Sequence, residues 1–182
     1  MDELYIKRVL NGEVNAFGYL IRQYQSIAMR TAMSIVKNET DAKDIVQDSF
    51  IYAYESLHTF RGEASFSTWL CRIVFNKSFR FIKRKKRQII QENQEAIIDS
   101  PMIYNEGLLN LNKQDLENFL KKGLNLLAPK EALCIQLFYL EEYHLDEIEL
   151  ITRFTKSNIK VLLFRGRKNL HKHLITSYKK IK

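Results

Sequence analysis

The sequence predicts an all-α protein with an N-terminal helical bundle and a C-terminal helix-turn-helix domain joined by a linker. Apolar residues recur at three- and four-residue steps through most of the chain, which is the period of an amphipathic helix. No useful stretch shows the two-residue alternation of a strand. The 182 residues include only six glycines and two prolines, too few for a turn-rich β fold. A hydrophobic content of 46% is ample for helical cores.

Three long helices are predicted in the first half of the chain. The first carries an apolar stripe over residues 17–35. The second begins near Thr40 or Asp41, because either side chain can cap a helix and acidic residues follow in the first turn. The third runs from about Trp69 into a basic stretch that ends at residue 87. We therefore assign residues 1–90 to one helical domain.

The second half of the chain is predicted to be a linker followed by a helix-turn-helix domain. Residues 91–112 are enriched in Gln, Asn, Glu and Ser and are interpreted as the linker, which leaves residues 113–182 for the second domain. A short helix ends near Thr152 and a long basic helix starts near Lys156, with Thr155 as its expected cap. Two helices with so tight a connection are typical of a helix-turn-helix, although Arg153 replaces the glycine common in such turns.

Charge is concentrated in two blocks that contain no acidic residue. The net charge is +8, yet residues 1–76 carry −1 and residues 91–151 carry −8. Residues 77–90 carry +7 and residues 152–182 carry +10, with Lys and Arg only. Each phosphate that such a block neutralises releases counterions, so a nucleic acid is the expected partner.

Patterns of catalysis, cofactor binding and membrane insertion are not found in the sequence. The chain has no Gly-rich phosphate loop, and His171 and His173 point to different sides of a helix, so neither a cofactor nor a metal is expected. Cys71 and Cys134 are read as reduced thiols of a cytoplasmic protein. Charges interrupt every apolar run before the roughly 18 residues that a membrane span needs. We expect a protein that is not an enzyme.

Two strings in the first half closely resemble bacterial sigma factors of the extracytoplasmic-function type. They run from Asp41 to Phe50 (DAKDIVQDSF) and from Phe60 to Asn76 (FRGEASFSTWLCRIVFN), and the C-terminal motif after Asp146 is similar to the family's minus-thirty-five reader. The resemblance implies a factor that binds core RNA polymerase, recognises promoter minus-ten and minus-thirty-five elements and melts DNA to start transcription. It also implies that an anti-sigma factor is a candidate partner.

The matched strings assign functional residues to three groups. The group implied to bind polymerase is Asp44, Gln47, Asp48, Ile51 and Tyr52. The group implied to contact and melt the minus-ten element is Ser56, Phe60, Arg61, Ile73, Asn76, Lys77, Arg80, Lys83 and Arg84. The group expected at the minus-thirty-five element is Lys156, Ser157, Asn158, Lys160, Val161, Phe164, Arg165 and Arg167.

The chemistry of each group suits the implied partner. An acidic stripe with apolar contacts fits a basic coiled coil, because charge directs docking while apolar burial holds it. Aromatic rings interleaved with cations can hold unstacked bases and phosphates. Lys and Arg at a helix surface pair with guanine edges, and Asn pairs with adenine. The last helix departs from the family in having Leu162 where a basic residue is frequent and Gly166 where alanine is frequent.

Two other function classes stay open from the residues alone. A dimeric repressor or activator would bind a palindrome without polymerase, and the aromatic-rich loop would then have no purpose. A recombinase or nuclease with a helix-turn-helix arm would need a nucleophile or metal-binding acids, which the sequence does not supply.

Overall fold

The computed structural model describes residues 1–92, 120 and 122–179, and these residues form helices, turns and loops without a strand. The predicted all-α class is confirmed. The helices are α1 (Asp2–Leu10), α2 (Phe17–Val36), α3 (Glu39–Glu55), α4 (Phe66–Glu92), α5 (Pro129–Ile135), α6 (Leu145–Thr152) and α7 (Lys156–Lys179). Short 3₁₀ turns lie at Val14–Ala16 and Leu57–Thr59, and a π-helical turn lies at Gln136–Leu140. Within the described residues, no helix has the length and apolar character that crossing a membrane requires.

Helices α1 to α4 form the N-terminal bundle. Small residues on α2 and α3, such as Ala28, Ala32 and Ala53, are fully buried and allow the helices to approach closely. Leu70 and Val74 of α4 fill the space between them. The apolar pattern alone did not predict α1, which packs on α2 with the Tyr5 and Tyr19 rings stacked 3.8 Å apart. We call the buried apolar residues that α1 to α4 share the bundle core.

The start of α3 differs from its prediction. The helix begins at Glu39, and Asn38 is its cap, with the Asn38 Oδ1 atom accepting a hydrogen bond of 2.9 Å from the Asp41 backbone N–H. Thr40 and Asp41 therefore lie inside the first turn. Asn38 caps as well as Thr or Asp does, so composition could not separate the three positions.

The helix-turn-helix is formed by α6 and α7, close to the predicted boundaries. Arg153 ends α6 with a left-handed backbone (φ 61°), the conformation for which glycine is the usual choice. The Thr155 hydroxyl oxygen accepts a hydrogen bond of 3.3 Å from the Asn158 N–H, as expected of the cap of α7. Pro129 occupies the first turn of α5, where its missing N–H costs nothing.

The C-terminal helices share a second core with the bundle. Ile35 of α2 and Cys71 and Phe75 of α4 pack with C-terminal residues that include Leu133 and Ile148. We call this cluster the interdomain core. The two domains predicted from the sequence are therefore in close contact in this structure. Helix α4 ends at Glu92, just past the predicted boundary at residue 90, and the rest of the predicted linker lies outside the described residues.

Gly166 of α7 packs closely against α5. A Cβ atom added there would lie 2.8 Å from Ile135 Cγ1 and 3.3 Å from Ile135 Cδ1. Overpacking of this kind costs about 1–3 kcal/mol, more than the roughly 1 kcal/mol that alanine gains over glycine in a helix. We expect Gly166→Ala to lower the free energy of unfolding, measured by urea denaturation.

The matched control for that substitution is Gly18→Ala in α2. Its added Cβ would meet only the flexible end of the Arg22 side chain, at 3.3 Å. Gly18→Ala should therefore leave stability unchanged or raise it. Equal stability of the two variants would show that Ile135 moves aside freely.

Candidate polymerase-binding and nucleic-acid-binding surfaces

The outer face of α3 carries all five residues predicted to bind polymerase. Helix α3 turns Ala42, Ile45 and Ser49 into the bundle core, so the opposite side of the helix faces solvent. The five exposed residues are Asp44, Gln47, Asp48, Ile51 and Tyr52. Ile51 is 49% exposed and Tyr52 is 51% exposed, and apolar side chains that adjoin one another at the surface are typical of an interaction surface.

Beside this face runs an apolar groove between α2 and α3. We call it the docking groove. Its lining includes Ile21 and Met29 on the α2 side and Val46, Ile51 and Tyr54 on the α3 side. The sequence pattern did not reveal the α2 wall, because Ile21 fits the same helical stripe as the core residues, yet it is 36% exposed. Tyr54 of α3 is 38% exposed and forms part of this groove.

Tyr52 connects the predicted polymerase face to the predicted DNA surface. The Lys77 ammonium of α4 lies 5.5 Å from the centre of the Tyr52 ring, within cation–π range. An ion pair of 3.0 Å between Lys85 Nζ and Asp41 Oδ2 joins the same two helices further along. The two surfaces therefore meet along the line where α3 and α4 pack.

An aromatic cluster supports the loop before α4. The Phe60 ring lies 5.8 Å from the Phe66 ring and 5.4 Å from the Trp69 ring, measured between centroids. Phe66 is buried, whereas Phe60 and Trp69 are partly exposed. Gly62 has a left-handed backbone (φ 73°), which turns the chain so that Arg61 and its neighbours project into solvent. The cluster thus holds a partly exposed Phe60 ring next to the exposed Arg61.

The face of α4 next to this loop carries most of the predicted minus-ten residues. On α4, Asn76, Arg80, Lys83 and Arg84 are exposed and Lys77 is half-buried; Ser56, at the end of α3, is also half-buried. The exception is Ile73, which is 8% exposed and packs in the bundle core. In this structure the Ile73 side chain lies beneath the surface, and its contact with DNA stays a prediction. Ile73 lies one turn from Asn76 on the same helix, and that spacing is compatible with exposure to DNA or with burial in the bundle core. Only the packing of the other helices determines which of the two occurs.

Helix α7 presents every residue predicted to read the minus-thirty-five element. All eight are exposed: Lys156, Ser157, Asn158, Lys160, Val161, Phe164, Arg165 and Arg167. Ile159 and Leu163 point inward, as the helical period requires. Leu162 is also buried, at 8% exposure. The exposed face of α7 therefore does not include the position where a basic residue is frequent in the family.

Two contacts fix the ends of this basic face. The Lys156 ammonium pairs with the Asp146 carboxylate of α6, which raises the Lys156 pKa by hydrogen bonding and charge attraction. The Arg167 Nη1 atom donates a hydrogen bond of 3.0 Å to the Tyr139 hydroxyl. Tyr139 belongs to the π-helical turn and had not been predicted to take part.

The described part of the chain shows neither a cluster of metal ligands nor a reactive cysteine. No group of three or more His, Cys, Asp or Glu residues there could hold a metal ion. Burial raises the pKa of the Cys71 thiol to about 11 and that of the Cys134 thiol to about 12. Both thiols therefore stay protonated at neutral pH, which leaves them poor nucleophiles.

Sequence comparison relates the chain to known transcription factors along nearly its whole length. Residues 20–88 match the family model of sigma-70 region 2. The chain is 29% identical over 176 residues to the ECF RNA polymerase sigma factor SigW of Bacillus subtilis, covering 93% of this chain and 94% of that protein. It is 28% identical over 174 residues to the ECF RNA polymerase sigma-E factor of Escherichia coli, covering 91% and 90%.

Two solved structures share the fold of this chain. The sigma factor RpoE of Bartonella quintana, solved with the anti-sigma factor NepR, aligns with a TM-score of 0.69 and 22% identity over 88% of this chain and 96% of that chain. CnrH, solved with the cytosolic domain of CnrY, aligns with a TM-score of 0.64 and 21% identity over 96% and 97%. The region 2 match and the relatives that align over nearly the whole chain together support an extracytoplasmic-function sigma factor.

Proposed function

We propose that this sigma factor binds core RNA polymerase through α3 and the docking groove, opens the minus-ten element with α4 and the loop before it, and reads the minus-thirty-five element with α7. Transcription initiation with RNA polymerase is the activity of its family. The observation that carries the assignment of surfaces is the contact between α3 and α4. It sets an acidic and apolar face directly beside an aromatic and cationic one.

The polymerase face offers both kinds of interaction that a docking helix needs. Asp44 and Asp48 supply charge that directs a basic partner, and such exposed charges act mainly on the rate of encounter and on orientation. Apolar side chains of the docking groove, Ile51 among them, supply area that is buried on binding. A helix of a coiled coil fits a groove of this shape, in the manner of other helix-in-groove complexes.

The minus-ten surface offers a partly exposed aromatic ring and a row of cations. An opened strand exposes unstacked bases, and stacking on an aromatic ring contributes about 1–3 kcal/mol per base. Phe60 is partly exposed and braced by Phe66 and Trp69, so it can accept a base without losing its position. Arg80, Lys83 and Arg84 extend along α4 from this point and suit successive phosphates of the same strand.

The minus-thirty-five surface fits duplex DNA. A recognition helix enters the major groove with its N-terminal residues against base edges. Lys156, Ser157 and Asn158 occupy that end of α7, and Lys160 and Arg165 follow on its exposed sides. Residues 1–90 and 113–182 would then act as separate promoter-binding units, with residues 91–112 setting the distance between them.

The remaining parts of the proposal concern partners and chemistry. The chain works in the cytoplasm with core RNA polymerase and promoter DNA, and it contributes binding energy rather than catalysis. An anti-sigma factor is a candidate regulator, as in the complex of RpoE with the anti-sigma factor NepR.

Run-off transcription with purified core polymerase and genomic promoter fragments tests the proposal. We expect transcripts that depend on adding the chain. DNA binding to a palindrome that does not require polymerase would favour a dimeric regulator. Strand cleavage or exchange would favour a recombinase or nuclease.

Phe60→Ala should impair strand opening more than polymerase binding. The substitution removes the proposed stacking ring, so we expect the yield of open complex to fall by about tenfold, which corresponds to about 1–2 kcal/mol of lost stacking. Permanganate footprinting of unpaired thymines measures this yield. Tyr19→Ala is the matched control, because it removes a half-buried aromatic ring of the bundle that stacks on Tyr5 instead. Equal open-complex yields for the two variants would contradict a stacking role for Phe60.

A further inference from the structure

Helix α1 is fastened to the bundle by a hydrogen bond at its first residue. The Asp2 carboxylate accepts this bond from the Tyr24 hydroxyl of α2. Both side chains belong to half-buried residues, so water competes with the bond less than at a fully exposed site. Burial and the bond to Asp2 raise the pKa of the Tyr24 phenol, which therefore stays protonated and remains a donor. A carboxylate is also favoured at a helix N-terminus, because the backbone N–H groups there have no helical partner.

The ring of Tyr24 contacts the aromatic cluster that supports the loop before α4. The Tyr24 and Phe66 ring centroids are 5.3 Å apart, and the Phe66 ring in turn lies 5.8 Å from the Phe60 ring. The Trp69 ring lies 5.7 Å from Phe66 and completes the cluster. Aromatic pairs at such distances prefer particular angles, so each ring restricts the orientation of the next. Asp2 is therefore connected to Phe60 through Tyr24 and Phe66.

A second connection runs from α1 to Phe60 through the backbone. Helix α1 contacts the 3₁₀ turn Leu57–Thr59, which directly precedes Phe60. The Leu57 side chain is buried in the bundle core. Its carbonyl oxygen accepts a hydrogen bond of 3.0 Å from the Phe60 N–H. The backbone of Phe60 is therefore fixed to a turn that packs against α1.

The loop on the other side of Phe60 adds little restraint of its own. An ion pair in it joins Arg61 to Glu63 at 3.9 Å, and these two side chains are 83% and 80% exposed. Ion pairs between exposed side chains contribute little, because water screens the charges and holding two long side chains costs entropy. The orientation of the Phe60 ring therefore depends on the rings and the turn beneath it.

We propose that α1 takes part in promoter opening, with Asp2 and Tyr24 as positioning residues that hold the Phe60 ring ready to stack on an unpaired base. This inference rests on the proposed function, since it takes Phe60 as the stacking ring. Helix α1 lies outside residues 20–88, which match sigma-70 region 2, so that match assigns α1 no role. A ring that is held in place beforehand loses no further freedom when a base stacks on it. Asp2 and Tyr24 act through the aromatic cluster and not by contact with DNA.

Tyr24→Phe tests the hydrogen bond without removing a ring. The variant keeps the ring that packs on Phe66 and loses only the hydroxyl. We expect the yield of open complex to fall by about threefold, in keeping with the cost of immobilising one side chain on binding. Binding to core polymerase should be unchanged. Tyr19→Phe is the matched control, because Tyr19 is also half-buried on α2 but packs by stacking on Tyr5. Permanganate footprinting measures the yield, and fluorescence anisotropy measures polymerase binding.

Substitutions of the carboxylate distinguish the hydrogen bond from the charge. Asp2→Ala removes the acceptor and should reduce the yield as much as Tyr24→Phe does. Asp2→Asn keeps an acceptor oxygen at the same place and should restore most of the yield. Glu3→Ala makes the same change of charge at the next, exposed residue and should have no effect. The double variant Asp2→Ala with Tyr24→Phe should open promoters as well as either single variant, because all three lack the same bond.

The fluorescence of Trp69 separates positioning from general stability. Trp69 is the only tryptophan of the chain, so its emission reports on the aromatic cluster alone. In the folded Tyr24→Phe variant, we expect acrylamide to quench Trp69 more strongly than in the wild type, because the cluster opens locally more often. Circular dichroism should show unchanged helical content. A loss of global stability alone would lower the unfolding midpoint and leave quenching in the folded protein as it was.

The same substitution in a Phe60→Ala background decides the route. If Tyr24 acts through Phe60, Tyr24→Phe should cause no further loss of open complex once the Phe60 ring is absent. A further loss of the same size there overturns the inference. An unchanged yield or unchanged Trp69 quenching for Tyr24→Phe in the otherwise wild-type chain also overturns it. Wild-type strand opening by Phe60→Ala alone overturns instead the stacking role on which the inference rests, so the two failures are distinguishable.

Discussion

Asp48→Lys should reduce binding to core RNA polymerase by at least about a hundredfold. Asp48 is exposed near the middle of the α3 face, between Asp44 and Ile51, where an approaching basic coiled coil would meet it. The substitution replaces attraction by repulsion at the centre of the interface, and a like-charge contact there costs several kcal/mol. Because Asp48 makes no contribution to the bundle core, the fold should be unaffected. Fluorescence anisotropy with labelled protein measures the affinity, and circular dichroism checks the fold.

The control for Asp48→Lys is Glu3→Lys in α1. It makes the same change of charge at an exposed position on a different helix. If the net charge of the chain governed the association, both variants would bind equally weakly. If the α3 face governs it, Glu3→Lys should bind like the wild type. Unchanged binding by Asp48→Lys would remove α3 from the polymerase interface.

Arg165→Ala should weaken binding to a matched promoter by about 1–3 kcal/mol, or roughly tenfold to a hundredfold. Arg165 projects from α7 next to Phe164, and its guanidinium can bind a guanine edge through two hydrogen bonds. Loss of that contact should reduce discrimination at one base pair of the minus-thirty-five element. The same substitution at Lys160 tests the neighbouring turn of the helix. Gel-shift titration of the polymerase holoenzyme at fixed salt measures the affinity for matched and altered elements.

A base contact and a phosphate contact give different results in that titration. A lost base contact lowers affinity for the matched element only, whereas a lost phosphate contact lowers affinity for all sequences and reduces the salt dependence. Lys7→Ala in α1 removes one exposed cation far along the chain from α7 and serves as the control. Promoter affinity equal to that of the control would show that α7 is not the reading helix.

Local sequence signals predicted the elements that local physics controls. The helical period gave α2, α3 and α4, and the hydroxyl of Thr155 marked the start of α7. All eight residues expected at the minus-thirty-five element are exposed on α7, and Leu162 beside them is buried. The family resemblance added the functional grouping of the residues, and it rested on two short strings whose order is visible in the chain.

Contacts between distant segments were not predictable in the same way. Ile73 and Asn76 lie one turn apart on α4, and only the packing of α2 and α3 decides that the first is buried and the second exposed. Ile21 satisfies the apolar stripe of α2 and yet lines an open groove, because no helix of the bundle covers that side. Periodicity identifies an apolar side chain without identifying what covers it.

By itself, the sequence determined an all-α chain whose basic blocks and aromatic loop suit DNA and whose acidic helix face suits a protein partner. The tertiary structure alone decided that the C-terminal helices pack on the bundle, that Arg30 reaches Glu141, and that the docking groove has a wall from α2. The reason is physical. Helix formation and capping depend on residues within a few positions of each other, whereas Arg30 and Glu141 are brought together only when two separately formed helical units bury a shared core.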